Sequence, residues 1–203
     1  MSAFPASPFR LLITSGLADP SNFSLQKTEI LKSVELAVVA GIAIVQIREK
    51  RLPARLLFEL VREAAVLTAG SFTRLLVNER FDIALAAGAD GVHLTSTSMP
   101  VESVREAVPT GFIIGVSAHS SADVIAAKSA GADYVMFGPI FETPGKGDPV
   151  GLEELERVCR LVVPFPVVAV GGLDASNEGS VIAAGAAGVA AIRYLNDFVR
   201  IGQ

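Results

Sequence analysis

One short phrase recurs four times along this chain and limits its fold more than any other feature. Val39-Ala40-Gly41-Ile42-Ala43, Ala87-Gly88-Ala89-Asp90-Gly91-Val92, Ala130-Gly131-Ala132-Asp133-Tyr134-Val135 and Ala184-Gly185-Ala186-Ala187-Gly188-Val189 share one pattern. Each reads as a helix end, a glycine stop and then a short apolar strand. Glycine suits that stop because it takes the left-handed conformation that closes a helix. The four glycines lie 47, 43 and 54 residues apart, room for two strand–helix units rather than one. The intervening strands are found at 11–14, 75–78, 113–116 and 167–170. Eight strands alternating with helices make an α/β fold, a (β/α)8 TIM barrel, with residues 1–203 as one domain. In that barrel the active site lies at the carboxyl ends of the strands.

Composition agrees with such a core. The chain is 51% hydrophobic, and its strands are near-continuous apolar runs, as in a parallel sheet covered by helices. No apolar stretch reaches the roughly 18 uncharged residues of a membrane span, and the first residues lack the pattern of a signal peptide. Residues 1–9 read as an unstructured leader. The single cysteine, Cys159, falls on a predicted helix as a packing residue and fits a reducing, cytoplasmic setting. A net charge of −4 without a basic run argues against a nucleic-acid partner.

The strand ends carry the chemistry. Strand two ends in Gln46-Ile47-Arg48-Glu49-Lys50, where alternation puts Gln46, Arg48 and Lys50 on one face. Such a row is costly to bury unpaired. It reads as a site for an anionic ligand, or alternatively as a collar of ion pairs with neighbouring strands. Strand three ends at Asn78-Glu79-Arg80, strand four at His93 and strand five at Ser117-Ala118-His119-Ser120. His119 reads as an acid/base group at a strand-to-helix junction. His93, at the end of a core strand, reads rather as a structural histidine. The longest loop, 139–151, carries Thr143 and Lys146, and Lys146 either closes over an anion or stays solvated. Gly171-Gly172 ends strand seven, and Ile192-Arg193 opens the last helix. In this barrel that pairing is the usual phosphate cradle, with a plain tight turn as the alternative.

In this order, Val45-Gln46-Ile47-Arg48-Glu49-Lys50, Val77-Asn78-Glu79-Arg80, Gly91-Val92-His93-Leu94, Gly115-Val116-Ser117-Ala118-His119-Ser120, Phe137-Gly138-Pro139-Ile140 and Val168-Ala169-Val170-Gly171-Gly172 resemble the thiamine phosphate synthase and thiazole tautomerase superfamily. The resemblance covers nearly the whole chain. It implies a small phosphorylated thiazole substrate, a homodimer, and phosphate bound at Gly171, Gly172, Ile192 and Arg193. The remaining substrate-binding positions it implies are Gln46, Arg48, Lys50, Asn78, Ser117, Thr143 and Lys146.

Departures from the synthase pattern bear on which activity is present. The synthase joins a pyrimidine-methyl diphosphate to thiazole phosphate with Mg²⁺, and its pattern supplies two aspartates for the ion. Here the first position holds Glu79 and the second falls on Ser98. The loop threonine expected before Lys146 is Gly145, and Arg193 stands where a serine is usual. On these departures the chain is expected to be the tautomerase, an isomerase that needs no cofactor and uses His119 to move a proton. The alternatives are the synthase, with Glu79 on Mg²⁺, and a non-catalytic binder of thiazole phosphate.

Overall fold

The structure, a computed structural model, describes residues 4–201. Eight parallel strands close into a barrel in chain order, each followed by a helix. They are β1 (Phe9–Ile13), α1 (Phe23–Val39), β2 (Ile44–Ile47), α2 (Ala54–Thr68), β3 (Arg74–Asn78), α3 (Phe81–Ala87), β4 (Gly91–Leu94) and α4 (Val101–Ala107). The second half follows with β5 (Ile113–Ala118), α5 (Ser121–Ser129), β6 (Tyr134–Phe137), α6 (Gly151–Val162), β7 (Val167–Val170), α7 (Glu178–Ala183), β8 (Gly188–Ala191) and α8 (Arg193–Ile201). The single-domain (β/α)8 barrel expected from the repeat is present.

The repeat is a helix-closing device. Gly41, Gly88, Gly131 and Gly185 have φ of 69°, 79°, 89° and 96°. The residue after each donates its N–H to a carbonyl five residues back: Ile42 to Ala37, Ala89 to Ala84, Ala132 to Ala127 and Ala186 to Val181. That is the six-to-one closure of a helix C-terminus, and it aims the chain straight into the next strand. A second repeat escaped the sequence reading. Asp19-Pro20-Ser21-Asn22 and Asp174-Ala175-Ser176-Asn177 fold into the same turn after β1 and β7. In each, the aspartate accepts from the serine N–H and hydroxyl while the asparagine side chain caps the loop behind it.

The expected leader is only partly within the described residues, which exclude 1–3. Phe9 already opens β1, pairing with Gly188. Phe4 packs against the rings of Phe9 and Tyr134, 5.3 and 5.2 Å away between centroids, and so covers the floor of the barrel. The apolar ring finds its burial there, which holds this end of the chain against the core. Among the described residues, no helix is long and apolar enough to cross a membrane.

Strand alternation sorts the core. Val45, Val77, Val92 and Ile114 face the helices, while Leu11, Ile44, Leu76, Ile113 and Met136 fill the barrel. Gln46, Asn78, His93 and Ser117 share the inward parity, two residues beyond Ile44, Leu76, Gly91 and Gly115. The barrel's filling therefore turns polar at its carboxyl mouth, and this layer is the floor of the site.

Candidate active site

On the β2–β5 side of the mouth, polar side chains are locked to one another. Gln46 is 1% exposed, and its Nε2 donates to Asn78 Oδ1 at 3.0 Å. Its Oε1 is buried without a partner. Asn78 Nδ2 donates to Glu79 Oε2 at 2.8 Å. Glu79 is, among the described residues, the non-glycine position with a positive φ, 63°, and its N–H donates to the carbonyl of His93. Its other oxygen accepts from the hydroxyls of Thr95 (2.6 Å) and Thr97 (3.3 Å), while Lys50 Nζ stands 3.4 Å from Oε2. The Thr95 hydroxyl, ahead of the Lys50 charge, holds the Glu79 carboxyl below the usual range.

His93 is fully wired and buried. Nδ1 meets the Tyr134 hydroxyl at 3.1 Å and Nε2 meets the Ser117 hydroxyl at 3.0 Å. Burial pushes its pKa down to about 3, so the ring stays neutral. The same burial raises the Tyr134 phenol. The structural reading of His93 fits this placement. Ser117 is thereby a partner of His93, half-buried at the mouth.

Arg48 and Lys50 lie just beyond β2. Lys50 belongs to an ion pair, as the collar reading expected, while Arg48 lies over the β1–α1 loop, where a Cβ on Gly16 would sit 3.4 Å from its Nη1. The residue between them was not singled out from the sequence. Glu49 is 2% exposed and points the other way, accepting from the Thr14 hydroxyl (2.6 Å) and the N–H groups of Gly16 (3.0 Å) and Ala18 (2.8 Å). Thr14 Oγ1 in turn accepts from Arg48 N–H. Glu49 thus pins the first loop to the strand that carries the basic pair. An acid between two bases at a strand end was the available signal.

The β6–β8 side is built from backbone. His119 is exposed, and its Nδ1 lies 2.6 Å from the carbonyl of Gly138. A carbonyl only accepts, so Nδ1 carries the proton and Nε2 is left open. Gly171 and Gly172 have φ of 98° and 64°. A Cβ on Gly171 would lie 2.6 Å from Pro139, and one on Gly172 2.7 Å from the Glu142 carbonyl. The glycine pair therefore lets the 139–143 segment pack onto the end of β7. Thr143 Oγ1 donates within its own loop to the Phe141 carbonyl, and Lys146 is exposed. Ile192 and Arg193 are exposed at the start of α8 and line a cleft of about 430 Å³ between α1 and α8.

With this geometry in view, the comparisons decide the family. The profile of the family described as thiamine monophosphate synthase matches residues 17–195. The chain belongs to this family. A Geobacter sulfurreducens protein, named provisionally as a thiamine-phosphate synthase, is 47% identical over 81% of this chain and 78% of its own length. The thiamine-phosphate synthase of Methanoculleus marisnigri is 44% identical over 77% of this chain and 75% of its own. A solved structure, thiamine phosphate pyrophosphorylase from Pyrococcus furiosus, superposes with a TM-score of 0.80 at 31% identity, covering 94% of this chain and 91% of its own.

These findings overturn the expected tautomerase branch and the isomerase activity attached to it, because the relatives carry the synthase name. By motif alone, Glu79 and Ser98 stand for the loss of a cation site. In the structure Glu79 keeps a carboxylate at the mouth, with the hydroxyls of Thr95 and Thr97 on it and that of Ser98 3.3 Å from Thr95 Oγ1. Mg²⁺ takes oxygen donors, keeps several waters and needs only one or two carboxylates beside substrate phosphates. This donor set fits it.

Proposed function

We propose that this chain is a thiamine-phosphate synthase, joining an aminopyrimidine-methyl diphosphate to thiazole phosphate. The observation that carries the reading is Gln46 Oε1, a buried acceptor without a donor, on the strand whose end bears Arg48 and Lys50. An orphaned buried acceptor costs about 1–3 kcal/mol, and a turn of the Gln46 amide toward the mouth would bring it to a ligand N–H that satisfies it. An aminopyrimidine offers the N–H, and its diphosphate offers the charge for the two cations.

The chemistry follows from that placement. The bond between the pyrimidine methylene and the diphosphate oxygen breaks, and its electron pair leaves with the diphosphate. The thiazole nitrogen donates its lone pair to the same carbon, forming the C–N bond of a thiazolium. Arg48 and Lys50 hold the departing charge, and the Gln46–Asn78 pair fixes the pyrimidine plane. Neutral His93, clamped by Tyr134 and Ser117, keeps a second positive charge away from the developing cation. Backbone N–H groups after β7 and at the start of α8 receive the thiazole phosphate. Mg²⁺, held by Glu79 with Thr95, Thr97 and Ser98, would offset charge on the diphosphate oxygens. The same reading takes the enzyme as a cytoplasmic homodimer, in keeping with the free, buried Cys159.

The test is condensation. Purified protein with both substrates and Mg²⁺ is expected to form thiamine phosphate and release diphosphate. No product, in a buffer where an authentic synthase turns over, would overturn the proposal.

A further inference from the structure

The geometry points to Lys50 as a positioning residue that occupies the cation site until diphosphate arrives; this rests on the synthase reading above. A carboxylate has about four lone-pair directions. In Glu79 all four are in use: Oε1 by Thr95 and Thr97, and Oε2 by Asn78 and Lys50. A divalent ion reaches this carboxylate only if a donor leaves. Asn78 is 7% exposed and tied to Gln46, and the Thr95 contact is the shortest of the four, so neither is free to go. The Thr97 hydroxyl can turn and give up its 3.3 Å hold on Oε1, which frees a lone pair but leaves the Lys50 charge beside it. Lys50 has no lone pair to offer, and its charge opposes a second cation beside it.

Lys50 also has somewhere to go. It is exposed, on a flexible four-carbon stem, and its pairing with Glu79 is the longest contact in the cluster. Diphosphate carries more negative charge than one carboxylate and draws the ammonium away from Glu79. The empty enzyme therefore holds its own cation on Glu79. Arrival of diphosphate exchanges that cation for a metal ion while moving Lys50 onto the leaving group. Lys50 accordingly has opposite effects on metal binding before and after diphosphate is present.

Mn²⁺ binding followed by electron paramagnetic resonance reads this without turnover, with and without inorganic pyrophosphate. Lys50→Gln is the variant, and its exposed position leaves the fold intact. Without pyrophosphate, Lys50→Gln is expected to bind Mn²⁺ about two- to fivefold tighter than the parent, the range of a partly exposed ion pair. With pyrophosphate the order reverses, and the parent binds tighter. Equal affinities of the two proteins in the free state, or a shift in the same direction in both arms, would overturn the inference. Glu79→Gln locates the ion: it is expected to weaken Mn²⁺ binding in the pyrophosphate arm, and unchanged binding there would sink the proposal. Condensation measured on the parent separates the two claims. Thiamine phosphate formed without the reversal leaves a synthase in which Lys50 is not a placeholder. No thiamine phosphate removes the synthase reading whatever Mn²⁺ does.

Discussion

The two sides of the barrel mouth are built by different means. From β2 to β5 the inward positions carry Gln46, Asn78, His93 and Ser117, and side chains form the site. From β6 to β8 the same positions run through Met136, Val170 and Ala190, and the mouth is bordered by glycine backbone and the start of α8. One side is specified by hydrogen bonds that reach across strands. The other is specified by how closely two loops approach. The first should therefore respond to protonation and to polar substitution, and the second to added bulk.

The largest effect is expected from bulk on the backbone side. Gly171→Ala places a methyl 2.6 Å from Pro139 at a φ of 98°. Overpacking and left-handed strain together predict a loss of about 2–4 kcal/mol in denaturant unfolding. Gly172→Ala, at φ 64° and 2.7 Å from the Glu142 carbonyl, is expected to lose a similar amount. If both unfold like the parent, the tight packing of the 139–143 segment on β7 is not what fixes that side.

The next effect belongs to the side-chain half and is read by pH. His93 has a folded pKa of about 3 against an ordinary 6.5. Above 6.5 both folded and unfolded chains carry a neutral ring, and this group adds no pH dependence. As pH falls below 6.5 the unfolded chain takes up a proton that the folded one refuses. Stability is then lost at up to about 1.4 kcal/mol per pH unit until the folded ring also protonates. Glu79, whose folded pKa is lowered, loses its contribution only in the more acid carboxylate range. Unfolding measured between pH 6.5 and 5 isolates the histidine, and His93→Gln should flatten that slope. A parent profile flat through this window would remove His93 from the account.

What the sequence made legible follows the same division. The four glycine closures and the strand parity belong to local chain geometry, so the barrel and its inward row could be read directly. The Tyr134–His93–Ser117 chain could not, because its members lie on three strands and only closure of the sheet brings them together. Room for the Tyr134 ring comes from Gly115 across β5, where a Cβ would lie 2.1 Å from it. Glu49 was hidden because its partners, the Thr14 hydroxyl and the N–H groups of Gly16 and Ala18, come from the end of another strand, although strand parity turns it to the other face. Glu79 and Ser98 misled for another reason. A motif comparison registers a lost aspartate but not the threonine hydroxyls that the β4–α4 loop brings to the remaining carboxylate.

Smaller effects separate binding from stability. Gln46→Leu removes the unpartnered Oε1, a gain, and deprives Asn78 Oδ1 of its donor, a loss of similar size. Thermal stability should stay within about 1 kcal/mol of the parent while kcat/KM for the pyrimidine diphosphate falls about tenfold. A drop in stability without a drop in kcat/KM would mean that Gln46 serves only the barrel.

The smallest effect is expected for a side-chain deletion on the backbone side. Thr143 Oγ1 makes one hydrogen bond, 2.9 Å to the carbonyl of Phe141 in its own loop. Main-chain bonds already fix that loop: Ile140 N–H to Val170, Phe141 N–H to Gly171 and Val150 N–H to Pro139. Thr143→Val should thus cost only about 0.5 kcal/mol in unfolding, at the low end for a hydrogen bond. Its KM for thiazole phosphate should stay within about twofold if phosphate is held by backbone N–H groups alone. A clear rise in KM with unchanged stability would mean that a side chain takes part, and the contrast between the two halves of the mouth would narrow at that position.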